Sequence, residues 1–391
     1  MSDLARGALN TQQDFDDQDP FLAAMLDQRR QRINRGDYHP LSTQAIGDAL
    51  KRLFAHSGMT SARAENIRRL AGGASKEQFV FDFVDTATGN SEKLVLRMDP
   101  TDGVLETSRI RECEIIDAMQ GVVPVPVIRF RDIDGSILGG TGMVTSFEQG
   151  VTKPSAAASG VTGLGTGFPD EWREKLTPQF IALMAKVHAM DFRSASLAHF
   201  GIPDAHPHQA ALWRVNLWSR VWREDAIEPS PIFAIAESWL RDNLPTCDEL
   251  VLLHGDFRTG NYLFDEATGK ITCLLDWEIA HIGDHHEELA WSLVRIFGAR
   301  AADGTYLCSS LMPVDEMVDR YASATGRTVN RTTLHFYRVL QAWSTLAMAS
   351  ATGLRAAQAH HNHQDVLLTW LAMVSPSLID ELTDLLMEAG Q

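Results

Sequence analysis

The chain is expected to fold as an α+β protein of two lobes, and three observations predict it. Its first half carries short alternating runs rich in β-branched and aromatic residues, the pattern of antiparallel strands. Its second half carries apolar residues at helical spacing, segment after segment. At 391 residues, 45% of them hydrophobic, it exceeds a usual single domain and can bury a sizeable core, so two lobes sharing a cleft are expected.

Taken in order, residues 1–20 are polar and lack a signal peptide's charged-then-apolar order. Residues 21–33 have helical spacing and predict a docking helix. Its Arg29, Arg30 and Arg32 are expected on a solvated face, with a partner surface as the alternative. After Gly36 and Pro40, Ser42 can cap a helix Thr43–His56 with Ile46, Leu50 and Phe54 on one side. Three strands follow at 66–70, 79–84 and 93–98. Between the first two lie Gly72, Gly73, Ala74, Ser75 and Lys76. Small residues there let backbone N–H groups approach phosphate oxygens, and Ser75 and Lys76 can add donors. An ordinary hairpin turn would explain the glycine pair as well. A helix at 106–119 carries Glu112. Pro124 and Pro126 separate it from strands at 127–131 and 142–147.

Residues 153–170 are rich in Gly, Ala, Ser and Thr, a composition open between a mobile flap and a plain linker. Helices are expected at 176–190, 211–224 and 232–241. Their Trp213, Trp218, Trp222 and Trp239 are read as core, with contact to a substrate as the alternative for some of them, and His188 as packing rather than ligand. Further helices are expected at 285–297, with Asp284 as N-cap, and at 314–321, 332–352 and 358–374. His360, His361 and His363 lack the carboxylate or Cys that would complete a ligand set, so no metal is expected there. Cys113, Cys247, Cys273 and Cys308 show no metal or redox spacing, which fits a reducing cytoplasm. No apolar run reaches membrane-spanning length, and a formal charge of −16 argues against nucleic acid.

The chemistry concentrates at 250–291. Two apolar runs, 250–253 and 271–275, each end in a polar turn carrying a carboxylate: His254-Gly255-Asp256 and Asp276-Trp277-Glu278. Arg258 stands two residues after Asp256, Asn261 five after it and Asp276 twenty after it. An acid beside an incoming hydroxyl, with an Asn and an Asp offering oxygen to hard cations, is what Mg²⁺-assisted phosphoryl transfer needs. In that reading Asp256 accepts or orients the hydroxyl proton, Asn261 and Asp276 hold Mg²⁺, and Arg258 offsets charge on the transferring group. A polar hairpin explains any one of these residues, but not the whole spacing.

The stretch HGDFRTGN followed by LLDWEIAHIGD resembles the aminoglycoside phosphotransferase and choline kinase-like family, relatives of the protein kinases. It is most similar to the branch found as kinase-like domains of acyl-CoA dehydrogenase family proteins. The likeness runs through LMAKVHAMDF, LAHFGIP and the Gly72–Ser75 turn, covering about 66–296. It implies a protein-kinase-like bilobal fold, with a five-stranded antiparallel N-lobe and a mainly helical C-lobe. The divisions would be a 1–60 extension, an N-lobe and hinge at 61–148, and a C-lobe at 149–391. The resemblance further implies that Arg97 stands where kinases carry the phosphate-binding Lys and that Glu112 is its ionic partner. The hinge would be 144–148, placing Ser146 and Glu148 beside the nucleotide. Gly73, Ser75 and Lys76 would cradle its phosphates.

The expected activity is transfer of a phosphoryl group from ATP, or GTP, to an alcohol on a small molecule. The resemblance to the dehydrogenase-associated branch implies a hydroxyacyl thioester or other catabolic alcohol, with an aminoglycoside or macrolide as alternatives. A nucleotide-binding regulator that has lost transfer is the reading from another class, and intact Asp256, Asn261 and Asp276 speak against it. A protein kinase is disfavoured by the absence of an APE-like segment after the DWE turn. The expected partners are the nucleotide and the alcohol, without nucleic acid or membrane, and a homodimer is compatible with the sequence.

Overall fold

The computed structural model describes residues 17–32, 41–70, 76–100, 105–155, 164–204, 207–359, 369 and 372–390. The expected phosphate-binding Gly73 and Ser75 therefore lie outside the described residues, as do His360, His361 and His363, residues 156–163 of the proposed 153–170 segment and most of the 358–374 segment.

Five antiparallel strands form the first lobe: β1 (Ala62–Arg69), β2 (Glu77–Asp85), β3 (Asn90–Met98), β4 (Ile128–Asp132) and β5 (Gly142–Ser146), in the order β1-β2-β3-β5-β4. The α+β class and the five-stranded sheet expected from sequence are thus present. Period-two alternation sorts the two faces of this sheet. On β3, Leu94, Leu96 and Met98 are buried on one face, while Arg97 points to the other. The apolar face is covered by α2 (Thr43–His56), whose Ile46, Ala49, Leu50, Leu53 and Phe54 share a core with Phe79, Phe81 and Phe83. Ser42 caps α2 as expected, its side chain accepting the Ala45 N–H. Phe54 is the centre of this core, with ring centroids 5.1 Å from Phe83 and 5.0 Å from Phe130.

Ahead of α2 lies α1 (Pro20–Arg32), and between β3 and β4 lies α3 (Arg109–Met119). α3 starts three residues later than the sequence suggested, with Ser108 as its cap: the Glu112 N–H bonds Ser108 O at 3.0 Å. The expected solvated arginine face of α1 is corrected at Arg29. That side chain is 4% exposed and pairs with Asp225 and with Glu106. Helical spacing alone could not show that carboxylates of α5 and of the α3 approach close over it.

The second lobe is built from α4 (Asp170–His188), α5 (Gln209–Asp225), α6 (Pro231–Asp242), α7 (His285–Leu293), α8 (Val314–Thr325), α9 (Arg331–Ala347), α10 (Leu354–Ala359) and a C-terminal helix Ser375–Ala389. Inserted among them are β6 (Leu250–Leu253), β7 (Tyr262–Phe264), β8 (Ile271–Leu274) and β9 (His281–Asp284). β6 pairs with β9 and β7 with β8, so the two apolar runs of the motif region do not form one hairpin. One expected helix is shorter than its apolar pattern, and another changes helix type along its length. α7 stops at Leu293 because the Arg295 N–H turns to the Glu381 carboxylate, at 3.0 and 3.1 Å, and 295–297 forms a 3₁₀ turn. α9 widens into a π-turn at Met348–Gly353, where the Thr352 hydroxyl takes Met348 O at 2.9 Å. Of the four tryptophans, Trp218 is buried in the core, Trp222 and Trp239 are half-buried against it, Trp222 stacking on Phe233 at 3.9 Å, and Trp213 is half-buried outside it. Among the described residues, no helix is long and apolar enough to cross a membrane.

Phe54→Ala should cost about 3–5 kcal/mol, the range for truncating a buried aromatic that leaves a cavity. Chemical denaturation checks it; a loss under about 1 kcal/mol would mean that α2 does not share the sheet's core.

Candidate active site

The local fold of the HGD turn follows from one glycine and one buried acid. Gly255 has φ +86°, and a Cβ there would lie 2.5 Å from Ile279 O, so only glycine fits between β6 and the segment after the DWE turn. Glu288, on α7 and 1% exposed, accepts the Gly255 N–H at 2.7 Å and the His254 N–H at 3.1 Å. It also lies 3.0 Å from His188 Nε2, whose other nitrogen meets the Tyr321 hydroxyl at 2.7 Å. Burial opposes charge on Glu288, but His188 and the two amides outweigh it and hold the pKa below the usual glutamate value.

His254 then ties the two motifs together. Its Nδ1 accepts the Asp256 N–H at 3.2 Å, which leaves Nε2–H to donate to Leu275 O at 2.8 Å. Leu275 in turn donates its N–H to Asn261 O at 2.8 Å. The residue before Asp276 is therefore gripped from both sides by the loop that carries Asp256 and Asn261.

Asp256 is fixed by neighbouring donors. Its Oδ1 accepts Arg258 Nε at 2.7 Å and Trp291 Nε1 at 2.7 Å, and its Oδ2 accepts Asn261 Nδ2 at 2.5 Å. Arg258 also lies over the Phe297 ring, 4.8 Å from its centroid. Because the amide nitrogen of Asn261 is committed to Asp256, its oxygen is the end left for a hard cation. Asp276 has φ +68°, a left-handed conformation that costs a non-glycine residue energy and recurs at functional positions. Its carboxylate is about a third exposed, and Oδ1 takes Arg97 Nη2 at 2.8 Å. Carboxylate and amide oxygens at this spacing are the donor type that Mg²⁺ prefers.

Arg97 and Glu112 come together as expected, 3.1 Å apart and 11% and 2% exposed, which excludes an exposed surface pair. Lys76 is placed differently from a donor on an open loop. It is buried at the start of β2, with Nζ 2.6 Å from Asp99 and 3.3 Å from Glu278 and bonded to Thr107. Arg109 joins the same group, 2.6 Å from Asp99 and paired with Glu112. Glu278, 8% exposed, has its pKa pushed up to about 7, first by burial and then by Asp276 and Glu112, against Lys76 and Arg97. At the hinge, Ser146 Oγ bonds Glu148 and accepts the Val127 N–H at 2.8 Å. The amides of Ser146 and Phe147 are taken by Val127 O and Lys93 O, at 2.9 and 3.1 Å.

Sequence reasoning missed Glu288, Trp291, Asp99 and Arg109. A signal existed for the first: two glutamates open an otherwise apolar helix, and buried carboxylates need partners. Asp284 caps α7 as expected, accepting the His286 N–H at 2.9 Å.

A cleft of about 650 Å³, part of it open to solvent, borders this site. Its walls are α1, α3, α5 and the 278–281 segment, and that segment packs on Gly255. Leu22, Met25, Leu26, Leu217, Trp218 and Ile279 give it an apolar character. Arg29, Arg111 and Arg214 stand among them beside the acids Glu106 and Glu278.

Residues 66–335 match the phosphotransferase enzyme family (APH). Acyl-CoA dehydrogenase family member 10 of Mus musculus is 27% identical over 209 residues, 52% of this chain and 18% of that protein. Acyl-CoA dehydrogenase family member 11 of Homo sapiens is 24% identical over 285 residues, 70% of this chain and 35% of that protein. The chain thus spans only 18–36% of the length of the first of these curated relatives. Among solved structures, a candidate aminoglycoside phosphotransferase of Ralstonia eutropha superposes with a TM-score of 0.61 at 16% identity, covering 94% of this chain and 98% of that one. An ethanolamine kinase of Plasmodium vivax does so with 0.53 at 11%, covering 92% and 96%. These two likenesses are of fold, the kinase-like bilobal one.

Glu288→Gln should cost about 2–3 kcal/mol at pH 7, because an amide cannot accept from both main-chain N–H groups and His188 without turning a donor toward a donor. The depressed pKa sets the pH dependence. Glu288 contributes stability above its unfolded value near 4.5 and loses it as pH falls through the lower folded value. The gap between wild type and variant should therefore be full at pH 7 and narrow on acidification below that value, as thermal melts across pH would report. A gap that widens toward acid would contradict the charged Glu288 described here.

Proposed function

This chain belongs to the phosphotransferase enzyme family, and from that premise we propose that it transfers the γ-phosphoryl group of ATP, with GTP as a possible donor, to a hydroxyl of a small molecule. The observation that carries the proposal is the double grip on Leu275. Through it, the loop holding Asp256 and Asn261 is hydrogen-bonded to the turn holding Asp276. Phosphoryl transfer asks a protein for positioning and charge neutralisation rather than covalent chemistry, and this arrangement supplies both.

In this reading Asp256 receives or orients the acceptor's hydroxyl proton, and Trp291, Arg258 and Asn261 set its angle of approach. Arg258 offsets charge near the transferring group. Asn261 and Asp276 would hold Mg²⁺, which would supply positive charge against that of the phosphates. Arg97, steadied by Glu112, would reach the nucleotide phosphates with N–H groups that Glu112 and Asp276 do not use. Gly73 and Ser75 would contact those phosphates, and Lys76, held by Asp99, directly follows them in the chain. The hinge 144–148, with Ser146 and Glu148, would border the base. The division into a 1–60 extension, a 61–148 N-lobe and a 149–391 C-lobe remains part of this proposal.

The proposed place for the acceptor is the cleft lined by 278–281, of which Ile279 packs on Gly255. A polycationic aminoglycoside would need a surplus of acids on these walls. Here Arg29, Arg111 and Arg214 are already paired, with Asp225, Asp19 and Glu287, and the largely apolar lining suits an amphipathic acyl alcohol instead. The names of the curated relatives agree with a hydroxyacyl thioester as that alcohol.

Asp256→Asn should lower turnover by roughly two to four orders of magnitude with nucleotide binding retained. A panel of hydroxyacyl thioesters and aminoglycosides, read by ADP release, checks it, and near-normal turnover would remove Asp256 from the mechanism. Asp276→Ala should abolish Mg²⁺-dependent nucleotide binding, and chelation should abolish wild-type activity until Mg²⁺ or Mn²⁺ is restored. Full activity in excess EDTA would sink the metal assignment. Kanamycin tolerance conferred on a sensitive bacterium through Asp256 would overturn the choice of acceptor.

A further inference from the structure

The segment 17–32 lies outside the residues matched to the family, yet it is fastened to both sides of the cleft. On one side it is anchored to α5. Asp17 Oδ1 accepts Trp213 Nε1 at 2.7 Å and Gln209 Nε2 at 3.0 Å, and Asn216 Nδ2 donates to Asp17 O at 2.8 Å. Further along, Asp27 pairs with Arg220 at 2.5 Å, and Arg29 with Asp225.

On the other side it meets α3. Asp19, 6% exposed, caps α1 by accepting the Phe21 N–H at 2.9 Å with Oδ1. Its Oδ2 takes Arg111 Nη1 at 3.3 Å. The slot for this carboxylate is shaped by Gly201, where a Cβ would come within 2.6 Å of it. Arg111 is 5% exposed and lies over the Phe200 ring at 4.5 Å, and its Nη2 donates to Ala280 O at 3.1 Å. Glu114 of the same helix is held by His199, at 2.6 Å to Nδ1 and 3.1 Å from the main-chain N–H.

Arg111 is the immediate neighbour of Glu112, the partner of Arg97, and Ala280 lies two residues beyond Glu278. We infer that the 17–32 segment is a built-in strap that locks α3 against the DWE turn, with Asp19 and Arg111 as positioning residues for the Glu112–Arg97 pair. The physical argument is an asymmetry of cost. A buried guanidinium deprived of its carboxylate must find water or another acceptor, and α3, which carries it, must shift for it to do so. Glu112 would move with it, and Arg97 would keep only Asp276 as a short-range partner. α5 supplies the fixed end, so the strap transmits the position of the helical lobe to the sheet lobe.

The inference rests on the phosphotransfer reading for its consequence but not for its structure, and the test separates the two. Asn is as good an N-cap as Asp, so Asp19→Asn leaves α1 capped while removing the charge that faces Arg111. In the full chain, Asp19→Asn should weaken Mg·ADP binding about 5–10-fold, the scale of a modest coupling between sites. In an Arg97→Ala background the same change should add nothing, since the group being positioned is gone. Arg111→Gln should repeat the loss, and Arg111→Lys should recover part of it. By hydrogen exchange, the amides of α3 and of 278–280 should open faster in Asp19→Asn, with β1–β3 unchanged. An equal loss in both backgrounds, or no loss in either, would overturn the positioning role, as would unaltered exchange in α3. A wild type that fails to bind Mg·ADP would defeat the phosphotransfer reading instead, and α3 exchange would then decide the strap alone.

Discussion

Arg97 projects from the sheet with Nη2 3.1 Å from Glu112 on α3 and 2.8 Å from Asp276 on the DWE turn, so one guanidinium joins three separately folded pieces. Around it Lys76, Arg109, Asp99 and Glu278 complete a buried group of opposite charges. Such a group is expensive to desolvate and is no simple gain in stability. Its effect is one of specificity: removing any member leaves an unpaired buried charge, so the sheet, α3 and the DWE turn are held to one relative arrangement. Asp99 shows the strength of the local field. Burial opposes its charge, but Lys76 and Arg109 hold its carboxyl well below the usual range. Glu278 shows the opposite balance, with burial and two nearby acids prevailing over Lys76 and Arg97. Glu278 thus stands where the buried charge cluster meets the apolar cleft.

A second constraint acts from below. Glu288 binds the HGD turn through main-chain N–H groups, so the turn's shape is set by a carboxylate on α7 rather than by its own side chains. His254 passes that order to Leu275, and Leu275 to Asn261. Stiffness of this kind is what a site working by positioning requires. It explains why a histidine, a glycine and a buried glutamate surround the one carboxylate proposed to meet the acceptor. The strap at 17–32 extends the same logic to the upper lobe, because it gives α3 a fixed point on α5 that the sheet alone cannot offer.

Most secondary structure was legible because periodicity and caps are local signals. Ser42 and Asp284 cap their helices as the sequence suggested, and α2 keeps its anticipated bounds, Thr43–His56. Misreadings fall where a distant group competes with a local pattern. α7 ends early because Glu381 takes the Arg295 N–H. β7 and β9, of three and four residues, are too short to stand out from loops. Arg29 read as solvated because its partners Asp225 and Glu106 are about 200 and 80 residues away in sequence.

The sequence by itself determined the α+β class, the order of elements and the residue types at 254–278, since spacing and chemistry are written along the chain. Only the tertiary structure decided which of those residues meet. It bonded Leu275 to both His254 and Asn261, bound Asp256 to Trp291, buried Lys76 against Asp99, and laid α1 across α3 and α5. The physical reason is that desolvated charges and main-chain donors must find partners wherever the fold brings them. Those partners are chosen by packing in space, which no local pattern encodes.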